Sequence, residues 1–224
     1  KSTVPVLLKT AFYDIYTDGV CAMWRELPES RRANCSFVID ACDHAGRRLP
    51  EFVGTPADFP GGTRVEGRAD AVEWFDSIRR KTVCTNAPAG RTRYYALWEN
   101  KWKVDPELKD GSREVRMTIG KGEHSYSYDP LQPLPVFPGS GGICFGGMRV
   151  QPPPSSRKDV LTFILPPVSE QLDVRGRMEA ELSVESDCED TCFYIRVSVD
   201  KGDGRWLLLR DDIRSLAYDA PYVP

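Results

Sequence analysis

The length, composition and charge of the chain narrow the classes of protein to which it can belong. Its 224 residues, 41% of them apolar, suffice for one large domain or two small ones with a packed core. Thirty basic and 33 acidic residues leave a net charge of -3 without long runs of one sign, which argues against nucleic acid or an anionic membrane as a partner.

Targeting features and cysteine usage bear on where the protein works. No apolar stretch approaches the roughly 20 residues of a membrane-spanning helix, and the N-terminus lacks the charged, apolar and cleavage regions of a signal peptide. The seven cysteines are odd in number, and Cys21, Cys35 and Cys42 lie in apolar surroundings where a thiol packs as a small hydrophobic group. We therefore expect a reducing, cytoplasmic location and no membrane partner.

A close pair of cysteines in "DCEDTC" raises the question of a metal site. Cys188 and Cys192 are separated by three residues and have no histidine nearby, so they lack the spacing and ligand set of a zinc site. We predict neither a metal ion nor a cofactor.

The first predicted elements alternate between strand and helix. The segment "VPVLLKTAFYD" is nearly continuous in apolar residues, as expected of a strand buried on both faces. "TDGVCAMWRELP" follows as a helix with Thr17 at its N-cap and Trp24 in the core, and "CSFVIDACDH" is a second buried strand that ends on Asp43 and His44. This alternation is typical of parallel-sheet units.

A longer helix is predicted after a loop rich in glycine and proline, "GTPADFPGGT". In "VEGRADAVEWFDSIRR" the apolar residues Ala71, Val72, Trp74, Phe75 and Ile78 recur on or near one face at helical spacing. We expect this helix to cover the sheet, with Trp74 and Phe75 in the core and not stacked on a substrate.

The pattern changes at about residue 83 to short alternating segments separated by glycine, proline and aspartate. In "RMEAELSVES" apolar residues alternate with glutamates, and "CFYIRVSVD" repeats the alternation. "KGDGRWLLL" supplies a turn that leads into another strand, and the proline-rich stretches between strands are expected to be long crossing loops. We predict a β-sandwich here, so the fold class is α/β followed by all-β.

Two polar residues follow the two buried strands. A right-handed crossover between parallel neighbours places both carboxyl ends at one edge of the sheet, so Asp14 and His44 are expected to face one crevice. An aspartate that orients a histidine is half of a proton-transfer device, with His44 as the base. The residues alone leave a second interpretation open, in which Asp14 is a capping or turn residue and His44 an ordinary loop histidine.

The segments "AFYDIYTDG", "DACDHAG" and "AVEWFDSIRR", in this order and followed by a β-rich region, resemble the later part of the cocaine esterase and X-prolyl dipeptidyl-peptidase family of serine hydrolases. "RYYALWENKW", "YDPLQPLPVFPGSGG" and "DVLTFILPPVSEQLDVRGRMEAELSVES" are similar to the sandwich region of that family. The resemblance implies an α/β-hydrolase domain, here residues 1–82, followed by a jelly-roll, galactose-binding-like sandwich, here residues 83–224. It also implies that Asp14 is the acid and His44 the base of a Ser-Asp-His triad.

The nucleophile of such a triad is not found in the chain. Its G-x-S-x-G elbow is missing, and Ser140 in "PGSGG" has the wrong position in the chain and the wrong context. The chain order Ser, Asp, His predicts that the serine precedes Lys1, and the resemblance implies further sandwich strands after the C-terminus. We therefore expect a fragment, incomplete at both ends, that associates with the rest of its own protein or as a homo-oligomer and is inactive alone.

The resemblance implies cleavage of an ester or amide, a class that includes X-Pro dipeptides and acylase substrates, through an acyl-serine intermediate. The substrate-binding residues are not identified. The alternative is a β-sandwich that binds carbohydrate or another ligand on exposed aromatic residues such as Tyr126, Tyr128 and Tyr218. His124 is expected to be a surface residue, and Trp98 and Trp102 to pack at a domain interface.

Overall fold

A computed structural model describes most of the chain. The residues it describes are 3–44, 67–97, 99, 101–105, 115–120, 122–134, 150–151, 157–170, 172–174, 176, 178–200 and 202–216. Its elements in chain order are β1 (Leu7–Tyr13), α1 (Thr17–Glu26), α2 (Glu29–Arg32), β2 (Ser36–Asp43), α3 (Gly67–Arg80), β3 (Thr92–Ala96), β4 (Lys101–Asp105), β5 (Val150–Gln151), β6 (Cys192–Asp200) and β7 (Trp206–Ser215).

Strands β1 to β4 form a mixed sheet in that order. As predicted, β1 and β2 are parallel neighbours joined through α1; β3 continues the parallel pairing, and β4 is antiparallel to β3. All eight residues of β2 are buried, which fits its continuous apolar sequence. Strand β1 is less buried than predicted, because among the described strands it lies at an edge of the sheet.

The sheet continues past the predicted domain boundary at residues 82 and 83. Strands β3 and β4 lie in the stretch that the sequence pattern assigned to the β-rich half, yet they pair with the strands before it. Each of these two strands is only five residues long, and so short a pattern does not show which of the two sheets the strand joins. The boundary itself stays a prediction.

Helix α1 covers one face of this sheet. Trp24 is almost fully buried and packs on Phe37 with 5.5 Å between ring centroids, so its predicted core position is confirmed. The N-cap prediction is wrong, because Tyr16 occupies that position and Thr17 is the first helical residue. The Thr17 hydroxyl lies 2.6 Å from the carbonyl oxygens of both Ala11 and Asp14, so it stabilises the strand-to-helix turn and not the helix end.

Helix α3 contacts the sheet through a narrower face than predicted. Trp74 is 6% exposed, packs with Val38 and donates its indole N–H to the Ser36 hydroxyl at 3.1 Å. Phe75, in contrast, is 66% exposed, so its predicted core position is wrong. Successive helical residues are about 100° apart, and the side that carries Trp74 and Ser77 faces the sheet.

Strands β5, β7 and β6 form a second, antiparallel sheet in that order. The predicted turn into β7 is confirmed: Gly202 and Gly204 have φ angles of 73° and 83°, which favour glycine, and they connect β6 to β7. The strand predicted in "RMEAELSVES" is not formed over residues 178–186, whose apolar side chains are exposed. Alternation predicts which face of a strand is buried, but a strand also needs a neighbour, and no described strand pairs with this segment.

The two sheets share a core. Tyr13, Ala41 and Tyr95 of the first sheet pack with Leu207 of β7 in one buried cluster. None of the helices in the described residues has the length and hydropathy required to cross a membrane. The described fold is thus a mixed sheet with helices on it, packed against a three-stranded antiparallel sheet; the jelly roll stays a prediction.

Candidate active site

Asp14 and His44 lie where the carboxyl ends of the parallel strands meet in the first sheet, each one residue beyond the end of a strand. Asp14 follows β1 and His44 follows β2, and the two strands are parallel. The distance between Asp14 Oδ1 and His44 Nδ1 is 3.0 Å, which is a hydrogen bond. The structure therefore brings together the two residues that the sequence singled out.

The backbone around Asp14 fixes its side chain. The Asp14 N–H donates to the Ala11 carbonyl at 3.0 Å, and the Tyr16 N–H donates to Asp14 Oδ1 at 3.0 Å. The pairing of β1 with β2 shifts register between Ala11 and Tyr13, where β2 carries one residue more than β1. Asp14 is thus a turn residue as well as the hydrogen-bond partner of His44. The geometry at Asp14 therefore agrees both with a turn residue and with a residue that orients a histidine.

The hydrogen bond determines which ring nitrogen of His44 carries the proton. An ionised carboxylate only accepts hydrogen bonds, so Nδ1 must be the donor. In the neutral ring the lone pair is then on Nε2, and that nitrogen can accept a proton. The side chains of His44 and Asp14 are 35% and 17% exposed, so the pair lies near the surface, with Asp14 more covered than His44.

Two further side chains near the pair were not predicted from the sequence. The Tyr16 ring lies edge-on to His44 with 5.2 Å between centroids. Cys42 lies two residues before His44, and burial, followed by the nearby carboxylates of Asp40 and Asp43, raises the pKa of its thiol to about 12. A thiol with such a pKa is protonated at neutral pH, so Cys42 is a poor nucleophile.

The remaining candidate residues lie away from this edge or outside the described residues. His124 is exposed, as predicted, and its ring is edge-on to Phe163 at 5.2 Å. Trp102 packs against Tyr95 at 5.5 Å in the shared core, and the guanidinium of Arg93 lies 3.8 Å from its ring centroid. Three residues named in the sequence interpretation lie outside the described residues: Trp98, Ser140 and Tyr218.

No group of three or more His, Cys, Asp or Glu side chains in the described ranges could hold a metal ion. Cys188 and Cys192 are exposed free thiols. Tyr126 and Tyr128 are exposed, as a stacking platform would require, but exposure of two tyrosines is common on protein surfaces.

Comparison with known proteins finds a distant similarity to an esterase. The chain is 24% identical over 243 residues to cocaine esterase from Rhodococcus sp. (strain MB1 Bresler). The match covers 96% of the chain and 41% of the esterase, so the chain spans about two fifths of that relative. No family model and no solved structure matches the chain. The similarity supports a distant relationship to an esterase-type hydrolase.

Proposed function

We propose that this chain supplies the acid and the base of a serine hydrolase that cleaves ester or amide bonds. The single observation that carries the proposal is the 3.0 Å hydrogen bond between Asp14 and His44 at the carboxyl ends of two parallel strands. Ligands of open α/β sheets bind at this edge. The similarity to cocaine esterase supports the same class of reaction.

In the proposed mechanism the nucleophilic serine comes from outside residues 1–224. His44 Nε2 takes the proton of the serine hydroxyl as the serine attacks the substrate carbonyl, and returns it to the leaving alcohol or amine. Water then attacks the acyl-serine with His44 as the base, the bond between the acyl group and the serine oxygen breaks, and His44 returns the proton to that oxygen. Asp14 keeps the ring in the Nδ1–H tautomer and stabilises the imidazolium that forms. The oxyanion donors belong to the same outside segment as the serine.

The proposed substrates are small esters, amides and short peptides, including dipeptides released after proline. The proposed fold for this reaction is an α/β-hydrolase domain followed by a jelly roll. Because the triad needs a serine that residues 1–224 do not present in a G-x-S-x-G elbow, the serine comes from the rest of the same protein; another copy of the chain would contribute strands and not the nucleophile.

The test compares the chain's two histidines in the full-length protein, with p-nitrophenyl acetate as the substrate. His44→Gln removes the base, and kcat is expected to fall by roughly 10⁴-fold or more. His124→Gln is the matched control and is expected to retain the wild-type kcat, because His124 lies on the surface beside Phe163. Equal activity of the two variants would contradict the proposed function.

A further inference from the structure

Strand β7 of the second sheet contacts the chain on both sides of Asp14. The Tyr13 hydroxyl donates a hydrogen bond of 3.2 Å to the carbonyl oxygen of Leu208. Four residues after Asp14, the carboxylate of Asp18 forms an ion pair with the guanidinium of Arg210. The residues of β7 in these two contacts are two positions apart, whereas 195 residues separate Tyr13 from Leu208.

The contact at Tyr13 is the stronger of the two. Tyr13 is 2% exposed and packs with Leu207 in the shared core, so loss of its partner would leave a buried hydroxyl unsatisfied. Burial raises the pKa of Tyr13 well above its ordinary value, which keeps the phenol neutral and able to donate. The carboxylate of Asp18 is mostly exposed, and exposed ion pairs contribute little, so Arg210 is secondary.

These contacts matter because the position of the Asp14 carboxylate determines two hydrogen bonds at once. Its Oδ1 accepts from both Tyr16 N–H and His44 Nδ1 at 3.0 Å, so a small displacement of the backbone at residue 13 lengthens at least one of these bonds. Displacements of about 1 Å at a catalytic group can cost about 10²-fold in rate.

We propose that Tyr13 is a positioning residue for the acid, through which strand β7 of the second sheet sets the hydrogen bond between Asp14 and His44. This inference rests on the proposed function and adds a role for the second sheet in the same site. Tyr13 itself touches no reacting group; it acts through Asp14.

The test measures the tautomer of His44 by the ¹⁵N chemical shifts of its ring in the full-length protein, at a pH where the ring is neutral. Tyr13→Phe removes only the hydroxyl and is expected to lower the ratio of the Nδ1–H to the Nε2–H tautomer on the order of tenfold. We expect kcat to fall on the order of tenfold as well, while KM stays unchanged. Tyr194→Phe is the matched control, because the Tyr194 hydroxyl donates to Asp211 at 3.0 Å inside the second sheet. It is expected to leave the tautomer ratio and kcat unchanged.

A second pair of variants, at the half-buried Arg210, covers the case in which Tyr13→Phe does not fold. Arg210→Gln is expected to shift the tautomer ratio in the same direction by a smaller amount, and Arg210→Lys to restore it. If the folded Tyr13→Phe variant keeps the wild-type ratio, the positioning role of Tyr13 is overturned. If Tyr13→Phe does not fold and Arg210→Gln keeps the wild-type ratio, the claim that strand β7 sets the bond between Asp14 and His44 is overturned. If wild-type His44 itself is not in the Nδ1–H form, the proposed function fails as well.

Discussion

Asp14 uses one carboxylate oxygen for two purposes, since Oδ1 accepts from both the Tyr16 N–H and His44 Nδ1. The first bond shapes the turn between β1 and α1, and the second orients His44, the proposed base. A substitution can separate these purposes, because an asparagine oxygen still accepts hydrogen bonds but carries no charge.

Asp14→Asn is therefore expected to affect activity far more than stability. Without the negative charge the imidazolium loses its stabilisation, so kcat of the full-length protein is expected to fall by up to about 10⁴-fold. The free energy of unfolding in urea falls by about 1 kcal/mol or less, because the bond to Tyr16 remains. If stability falls while kcat is retained, Asp14 is only a turn residue.

Cys42 gives a prediction for alkaline pH. Burial and the carboxylates of Asp40 and Asp43 raise the pKa of its thiol to about 12, whereas the unfolded chain has an ordinary thiol. The folded state therefore binds more protons than the unfolded state above pH of about 8.5, and stability falls as the pH rises from there towards 12. Urea midpoints measured from pH 8 to 11 should fall less steeply for Cys42→Ala than for Cys192→Ala, an exposed control. Equal slopes would contradict the assignment.

In helix α3, two adjacent residues differ strongly in burial. Trp74 packs with Val38 and Ala87 and bonds to Ser36, whereas Phe75 is mostly exposed. We expect Trp74→Ala to lower the free energy of unfolding by about 3–5 kcal/mol, and Phe75→Ala by about 0.5 kcal/mol or less. Chemical denaturation of the two variants checks this. A large loss for Phe75→Ala would mean that its ring packs against another surface in the protein.

The same element shows what sequence patterns can and cannot predict. Helical spacing predicted α3, but the pattern places Val72, Phe75 and Ile78 beside Trp74 and does not say which of them faces the sheet. Strand β2 is predicted correctly because a short, nearly continuous apolar run that ends on turn residues fits a strand buried on both faces.

The candidate site was only partly predictable for a similar reason. Strand order and crossover hand placed Asp14 and His44 at one edge, because both follow from local segments. The contact between Tyr13 and Leu208 has no signal in the sequence, since it joins residues 195 positions apart through a backbone carbonyl.

The prediction of a strand over residues 178–186 is wrong because strand formation depends on a neighbouring strand, which alternation does not reveal.

For the whole molecule, the shared core predicts that the two sheets unfold together. Leu207 of β7 is fully buried among Tyr13, Ala41 and Tyr95 of the first sheet. Leu207→Ala is expected to lower the free energy of unfolding by about 2–5 kcal/mol, while Ile213→Ala, an exposed position on the same strand, changes little. Hydrogen exchange should show the same loss of protection in both sheets. A loss confined to the second sheet would mean that the sheets are independent.

For the whole protein, we propose that this chain carries the acid and the base for a serine outside residues 1–224. The most direct measurement is labelling of the full-length protein with a fluorophosphonate probe, followed by peptide mass spectrometry to locate the modified serine. We predict a label on a G-x-S-x-G peptide outside residues 1–224 that is lost in His44→Gln and kept in His124→Gln. A folded full-length protein that takes no label, or a label that does not depend on His44, would contradict the claim.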